Sequence, residues 1–153
     1  MRGISFEIPN AYGKYLLELL DGLDITEWTW KIGDGESYVI QRDALGKPLF
    51  SNDCLLDGDE LRRIISMDDY YLIFVDLKAF SKTSSVRDIT TYQEFMESDC
   101  QFVILIVDCS YVTIYAKDQH IVQHLLLKAI ANGYENIEYV TDENDGRTTL
   151  IAF

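Results

Sequence analysis

The sequence predicts an α+β fold: a single domain on a mainly antiparallel mixed sheet, with helices packed on one face. Three observations carry this. Runs with the period of a strand outnumber runs with the period of a helix. Short turn signals join consecutive strands, which forces antiparallel pairing. Two continuous apolar, β-favouring runs, at residues 71–75 and 102–107, mark central strands. The 153 residues are close to the commonest domain size, and with two prolines and nine glycines no linker divides them. Residues 1–153 are therefore expected to form one domain.

Ile4, Phe6 and Ile8 alternate with Ser5 and Glu7, the period of a half-buried strand, and Pro9 ends it. Asn10 is placed to cap a helix in which Tyr12, Tyr15, Leu16, Leu19 and Leu20 recur at helical spacing, with Gly22 as its stop. Trp28, Trp30 and Ile32 alternate with Glu27, Thr29 and Lys31 in a second strand. Gly33-Asp34-Gly35 reads as a hairpin turn into a third strand over residues 38–41. Residues 46–52 read as loop. Asp57 with Glu60 three residues on is an acidic version of a capping box, opening a short helix with Leu61, Ile64 and Ile65.

Beyond the run at 71–75, residues 82–85 are polar, and Thr91 with Glu94 makes a capping box for a helix carrying Tyr92, Phe95 and Met96. The run at 102–107 turns at 108–110 into Val112, Ile114 and Ala116, which alternate with Thr113, Tyr115 and Lys117. Asp118 caps the strongest helix, whose core stripe is Ile121, Val122, Leu125, Leu126, Ala129 and Ile130 and whose end is Asn132-Gly133. A strand with Ile137 and Tyr139 then turns at Asn144-Asp145-Gly146 into a last strand over 148–153.

The formal net charge is −13, from 26 acids against 13 bases. Both halves share it: residues 1–76 hold 15 acids and 7 bases, residues 77–153 hold 11 and 6. Such a surface repels phosphate backbones and anionic membranes, so no nucleic acid or membrane partner is expected, and a basic protein partner or simple solubility is favoured. Cys54, Cys100 and Cys109 form no CxxC pair and leave one over from any disulfide. The first ten residues alternate like a strand and show no signal-peptide pattern, and no apolar run approaches the length of a membrane span. A reduced, cytoplasmic setting is expected.

Three stretches resemble a family of small uncharacterised proteins from Gram-positive bacteria, a domain of unknown function. They are MRGISFEIPN at residues 1–10, GESY at 35–38 and TYQEFMESDCQFVILIVDCSYVTIYAKD at 91–118. The resemblance covers essentially the whole chain. It implies a cytoplasmic bacterial protein without an assigned activity and carries no functional residues onto this sequence.

Four constellations bear on chemistry. His120 and His124 stand four apart on one helix, the spacing of two zinc ligands, but on the side opposite the core stripe and without an HExxH glutamate. They read as a solvated pair, with metal binding as the alternative. Asp76 and Asp108 each follow an apolar strand and read as the exposed first charges where those strands reach the surface; the alternative is that the strands are neighbours and the two carboxylates meet at one sheet end to hold a cation or share a proton. Trp28 and Trp30 share one strand face and read as core, with an aromatic binding platform as the alternative. Tyr111, Thr113 and Tyr115 share the face opposite Val112 and Ile114, the candidate for an exposed aromatic surface toward a ligand or partner.

Neither Asp57-Gly58-Asp59-Glu60 nor the stretch around Gly146 fits a calcium loop, and no GxxxxGK[ST], GxGxxG or GxSxG motif occurs. No cofactor is expected. The leading expectation is a non-enzymatic binding or regulatory protein, such as an inhibitor or immunity factor with a basic partner. The alternative is a small enzyme or ligand-binding domain using Asp76 and Asp108.

Overall fold

The computed structural model describes residues 1–152. Among them the chain forms β1 (Gly3–Glu7), α1 (Tyr15–Leu20), β2 (Trp28–Ile32), β3 (Glu36–Gln41), β4 (Ala44–Pro48), β5 (Cys54–Asp57) and α2 (Gly58–Met67). There follow β6 (Tyr70–Ser81), α3 (Tyr92–Glu97), β7 (Cys100–Val107), β8 (Tyr111–Ala116), α4 (Gln119–Ala131) and β9 (Glu135–Val140). The strands make one sheet in the order β4-β3-β6-β7-β8-β1-β9, with β2 also on β6 and β5 outside β2. Every pairing is antiparallel. The α+β class stands, and the sheet is antiparallel throughout.

Period-two alternation sends each strand's apolar residues to a definite face. On the first face Ile4, Phe6, Trp30, Leu77, Phe102 and Ile114 pack against Leu19 of α1, Ile65 of α2 and Leu125 of α4. On the second face Phe80, Val103, Leu105 and Tyr115 pack against Phe95 of α3 and against Ile89, Leu150 and Ala152. Three helices thus share one face as the sequence predicts, while short α3 lies on the other. The reason is that β7 is apolar on both sides, and with Phe80 of β6 and Tyr115 of β8 it makes a second apolar surface that needs cover. Trp28 and Trp30 are core, and the Trp30 indole N–H donates to the Ile25 carbonyl at 3.0 Å.

The caps behave as their chemistry requires. Thr91 accepts from the Glu94 N–H at 3.1 Å and Asp118 from the His120 N–H at 2.8 Å. Asn10 caps nothing: α1 starts at Tyr15, and the Asn10 side chain accepts from Tyr71 instead. Ile130, expected in the core stripe of α4, is 58% exposed, whereas Val122, Leu125 and Ala129 are buried and Ile121 and Leu126 pack half-buried against the core. The strand expected over 148–153 does not form over its described residues; Phe153 lies outside them. Leu150 instead donates its N–H to the Thr90 carbonyl at 2.8 Å and buries its side chain on the second face.

The largest departure concerns residues 33–57. Gly33-Asp34-Gly35 does not make a hairpin, since β2 and β3 do not pair with each other. Both lie along the same edge of 12-residue β6, β3 against Tyr70, Tyr71, Leu72 and Phe74 and β2 from Leu77 to Ser81. They act as one long strand bent at residues 33–35. β4 and β5, read as loop and cap from sequence, pair with β3 and β2 as its bent outer companion.

Candidate functional site

The bend exists because two glycines allow it. The Gly33 N–H donates to the Asp76 carbonyl at 2.9 Å. A Cβ on Gly33 would stand 2.7 Å from the Asp76 Cγ, and one on Gly35 2.5 Å from the Phe74 carbonyl oxygen. A side chain at position 35 would push the chain off β6, and one at position 33 would crowd the Asp76 carboxylate. On the outer strand the ladder breaks as well, over residues 49–53, where Asp53 takes a left-handed φ of 53°. The β2–β5 and β3–β4 ladders diverge, and a cleft of about 700 Å³ opens between them. Leu49, Phe50, Leu56, Ile64 and Val75 supply apolar wall, and Ser37, Glu36, Lys47, Glu60 and Asp76 supply polar groups. That volume lies within the range of small-molecule pockets.

Asp76 is the residue the sequence singled out, and the structure buries it. Its Oδ1 accepts from Lys78 Nζ at 2.5 Å, and each side chain is 5% exposed. Taking two charges out of water costs several kcal/mol per ion before their attraction repays it, so a buried pair is a poor stabiliser. Both residues lie on the second face, between core positions Val75, Leu77 and Ala79 on the first. A smaller cavity of about 290 Å³ adjoins them and shares Gly33 and Asp76 with the cleft. At its rim Lys31 Nζ pairs with Asp88 at 3.2 Å and Asp53 at 3.3 Å. Partial burial pulls the Lys31 ammonium's pKa down, but the two carboxylates outweigh it and hold it above its ordinary value.

Cys54 lines the cleft, its thiol donating to the Ser51 carbonyl at 2.9 Å. Burial, and secondarily the charge of Asp53, pushes its pKa up against the smaller opposing effect of Lys31. It stays a neutral thiol, the reverse of an activated nucleophile. Neither histidine lines either cavity.

Asp108 does not join Asp76. In the antiparallel β6–β7 ladder Asp76 faces Leu105, and Asp108 lies beyond the end of β7 in the turn to β8, with a φ of 51°. Sequence reasoning placed both at strand ends, but β6 continues through Asp76 for five more residues. Tyr111 is exposed and Thr113 half-buried, but Tyr115 is wholly buried, its hydroxyl donating to Asp145 at 2.9 Å, so the three do not form one exposed aromatic surface. The cover over Tyr115 is α3 and the segment ending in Leu150. His120 is exposed on α4, and His124 Nε2 lies 2.8 Å from the Asp21 carbonyl oxygen. Among the described residues no three His, Cys, Asp or Glu side chains gather in a set able to hold a metal ion.

Lys31, Gly33 and Lys78 escaped the sequence reading. The alternation Val75-Asp76-Leu77-Lys78-Ala79 carried the signal that the strand runs on and sets both charges on one face. No helix among the described residues is long and apolar enough to cross a membrane.

A family model described as a protein of unknown function (DUF2691) matches residues 1–151. The uncharacterised protein YncE of Bacillus subtilis (strain 168) is 40% identical over 150 residues, 97% of each chain. No solved structure matches the chain.

Proposed function

The chain belongs to the DUF2691 family of proteins of unknown function, and from that starting point we propose that it is a small-molecule-binding domain without catalytic activity, with its site at the bend beside Asp76. The observation that carries this is the cleft of about 700 Å³, part apolar wall and part polar, with the buried carboxylate-bearing Asp76, partner of Lys78, among its lining residues. Clefts of this kind, holding a few convergent polar groups, are where small ligands bind. A charged pair of poor intrinsic value to stability is more economically explained by recognition than by folding. A catalytic reading finds less support, since the cleft holds a neutral thiol and no histidine. The free cysteines favour a reducing, cytoplasmic setting.

A thermal-shift screen against small polar metabolites tests the reading, with alkylation of Cys54 as the local reporter and the half-buried thiol of Cys109 as control. A true ligand at a hundredfold its Kd stabilises the fold by about 2.7 kcal/mol. It should also slow alkylation of Cys54 and leave Cys109 unchanged. A screen in which no stabilising compound protects Cys54 contradicts it.

The charge of −13 favours a second reading, in which the acidic surface binds a basic protein as an inhibitor or regulator would. Such a partner would associate faster at low salt and weaken as salt is raised. A partner whose binding ignores salt would reject this reading.

A further inference from the structure

β2 and β6 are registered so that Lys31 stands directly opposite Lys78. Both side chains point to the second face, away from Trp30, Ile32, Leu77 and Ala79 on the first. Like charges in one cross-strand pair repel and destabilise a sheet. Carboxylates hold these two in place: Asp76 on Lys78, and Asp53 with Asp88 on Lys31. The carboxylates are not alike. Asp76 is as buried as its lysine, whereas the side chains of Asp53 and Asp88 are 78% and 84% exposed. Exposed ion pairs contribute little, so those two are readily displaced.

The cavity of about 290 Å³ beside them is lined by four aspartates, at 34, 53, 76 and 88, against Lys31 and Lys78. A lone anion entering it meets an excess of carboxylates, and a lone cation meets two opposed ammonium groups. A small zwitterion offers each sign its partner and adds no net charge to a buried pair. The volume, at the lower end for ligand pockets, suits a molecule of that size. Resting on the reading that the bend beside Asp76 binds small molecules, we infer that this smaller cavity, adjoining the cleft, takes a free α-amino acid. Its carboxylate bridges Lys31 and Lys78 in place of Asp53 and Asp88, and its ammonium is held by Asp76 and Asp34.

The amide signals of Lys31, Gly33, Asp34 and Lys78 are followed by NMR as glycine, leucine, lysine and glutamate are titrated in, with methylamine and acetate as controls of one charge. At least one amino acid should give saturable shifts at these amides, and neither control should at the same concentration. Lys31→Met keeps the side-chain stem and relieves the repulsion, so the fold survives while binding weakens at least tenfold. Gly33→Ala, whose Cβ would lie 2.9 Å from Asp76 Oδ2, is a second variant that should weaken binding by closing the site. A control that saturates the same amides, or full binding by Lys31→Met, overturns the inference. If amino acids fail but another small molecule shifts Ser37, Leu49 and Leu56, the ligand-binding reading survives and the zwitterion falls. If nothing moves either set, both fall.

Discussion

Asp76 and Lys78 are each other's partner across 2.5 Å at 5% exposure, and that intimacy sets what single substitutions do. Asp76→Asn leaves the Lys78 ammonium buried without a counter-charge and should cost about 3–5 kcal/mol, read from urea unfolding. Replacing both residues together with an apolar pair of similar size should cost much less than the single change. A single change of under 1 kcal/mol would show that water reaches the pair. Cys100 makes the other residue-scale prediction. Burial pushes its thiol from 9.0 up to about 11. A group with its pKa raised in the folded state contributes stability below the unfolded pKa and loses it as pH climbs through the folded one. Stability should therefore fall between pH 9.0 and about 11, by up to roughly 3 kcal/mol from this group alone. Cys100→Ser or Cys100→Ala should flatten that part of the profile, and an unchanged slope would assign the loss to other groups.

The elements divide by how they announce themselves. α4, β7 and β8 were largely legible, α4 and β8 from their period, β7 from its continuous apolar run, and each from a turn or cap residue at its boundary. β4 and β5 were not, since edge strands with exposed or half-buried positions carry no alternating core face. The turn between β3 and β4 also hides its signal, using Arg42 and Asp43 at φ 52° and 60° where glycine or asparagine is usual. The candidate site was half legible for a related reason. Asp76 stood out as the first charge after an apolar run, but the bend that makes a cleft beside it depends on pairing between distant segments. α4 offers the sharpest check on helix packing. Leu125 is wholly buried on the first face, so Leu125→Ala should cost about 2–5 kcal/mol in unfolding free energy. His120→Ala, at an exposed position, should cost under about 0.5 kcal/mol. Equal effects from the two would mean that the helix is rotated on the sheet.

At the scale of the whole molecule, the charge of −13 and the bent sheet govern different encounters. The charge acts at long range, and screening over about 8 Å at physiological salt limits it to partners already near. No measurable binding to duplex DNA is expected at that salt, and a gel shift that found tight binding would contradict the electrostatic argument. The bend acts at contact. It splits one edge of β6 between two strands, opens the cleft, and leaves Asp76 at the place where the two cavities meet. Gly33 is the residue on which this depends, because only the missing side chain lets the chain lie against the Asp76 carboxylate. The most direct measurement is a comparison of wild type and Gly33→Ala by two-dimensional amide NMR, each titrated with the compound that most stabilises the wild type. The expected result is saturable shifts at Gly33, Ser37, Leu49, Leu56 and Asp76 in the wild type and at least tenfold weaker binding in the variant, with the remaining amide signals still those of the folded sheet. Shifts confined to residues away from the bend, or equal affinity in the two proteins, would contradict a ligand site there.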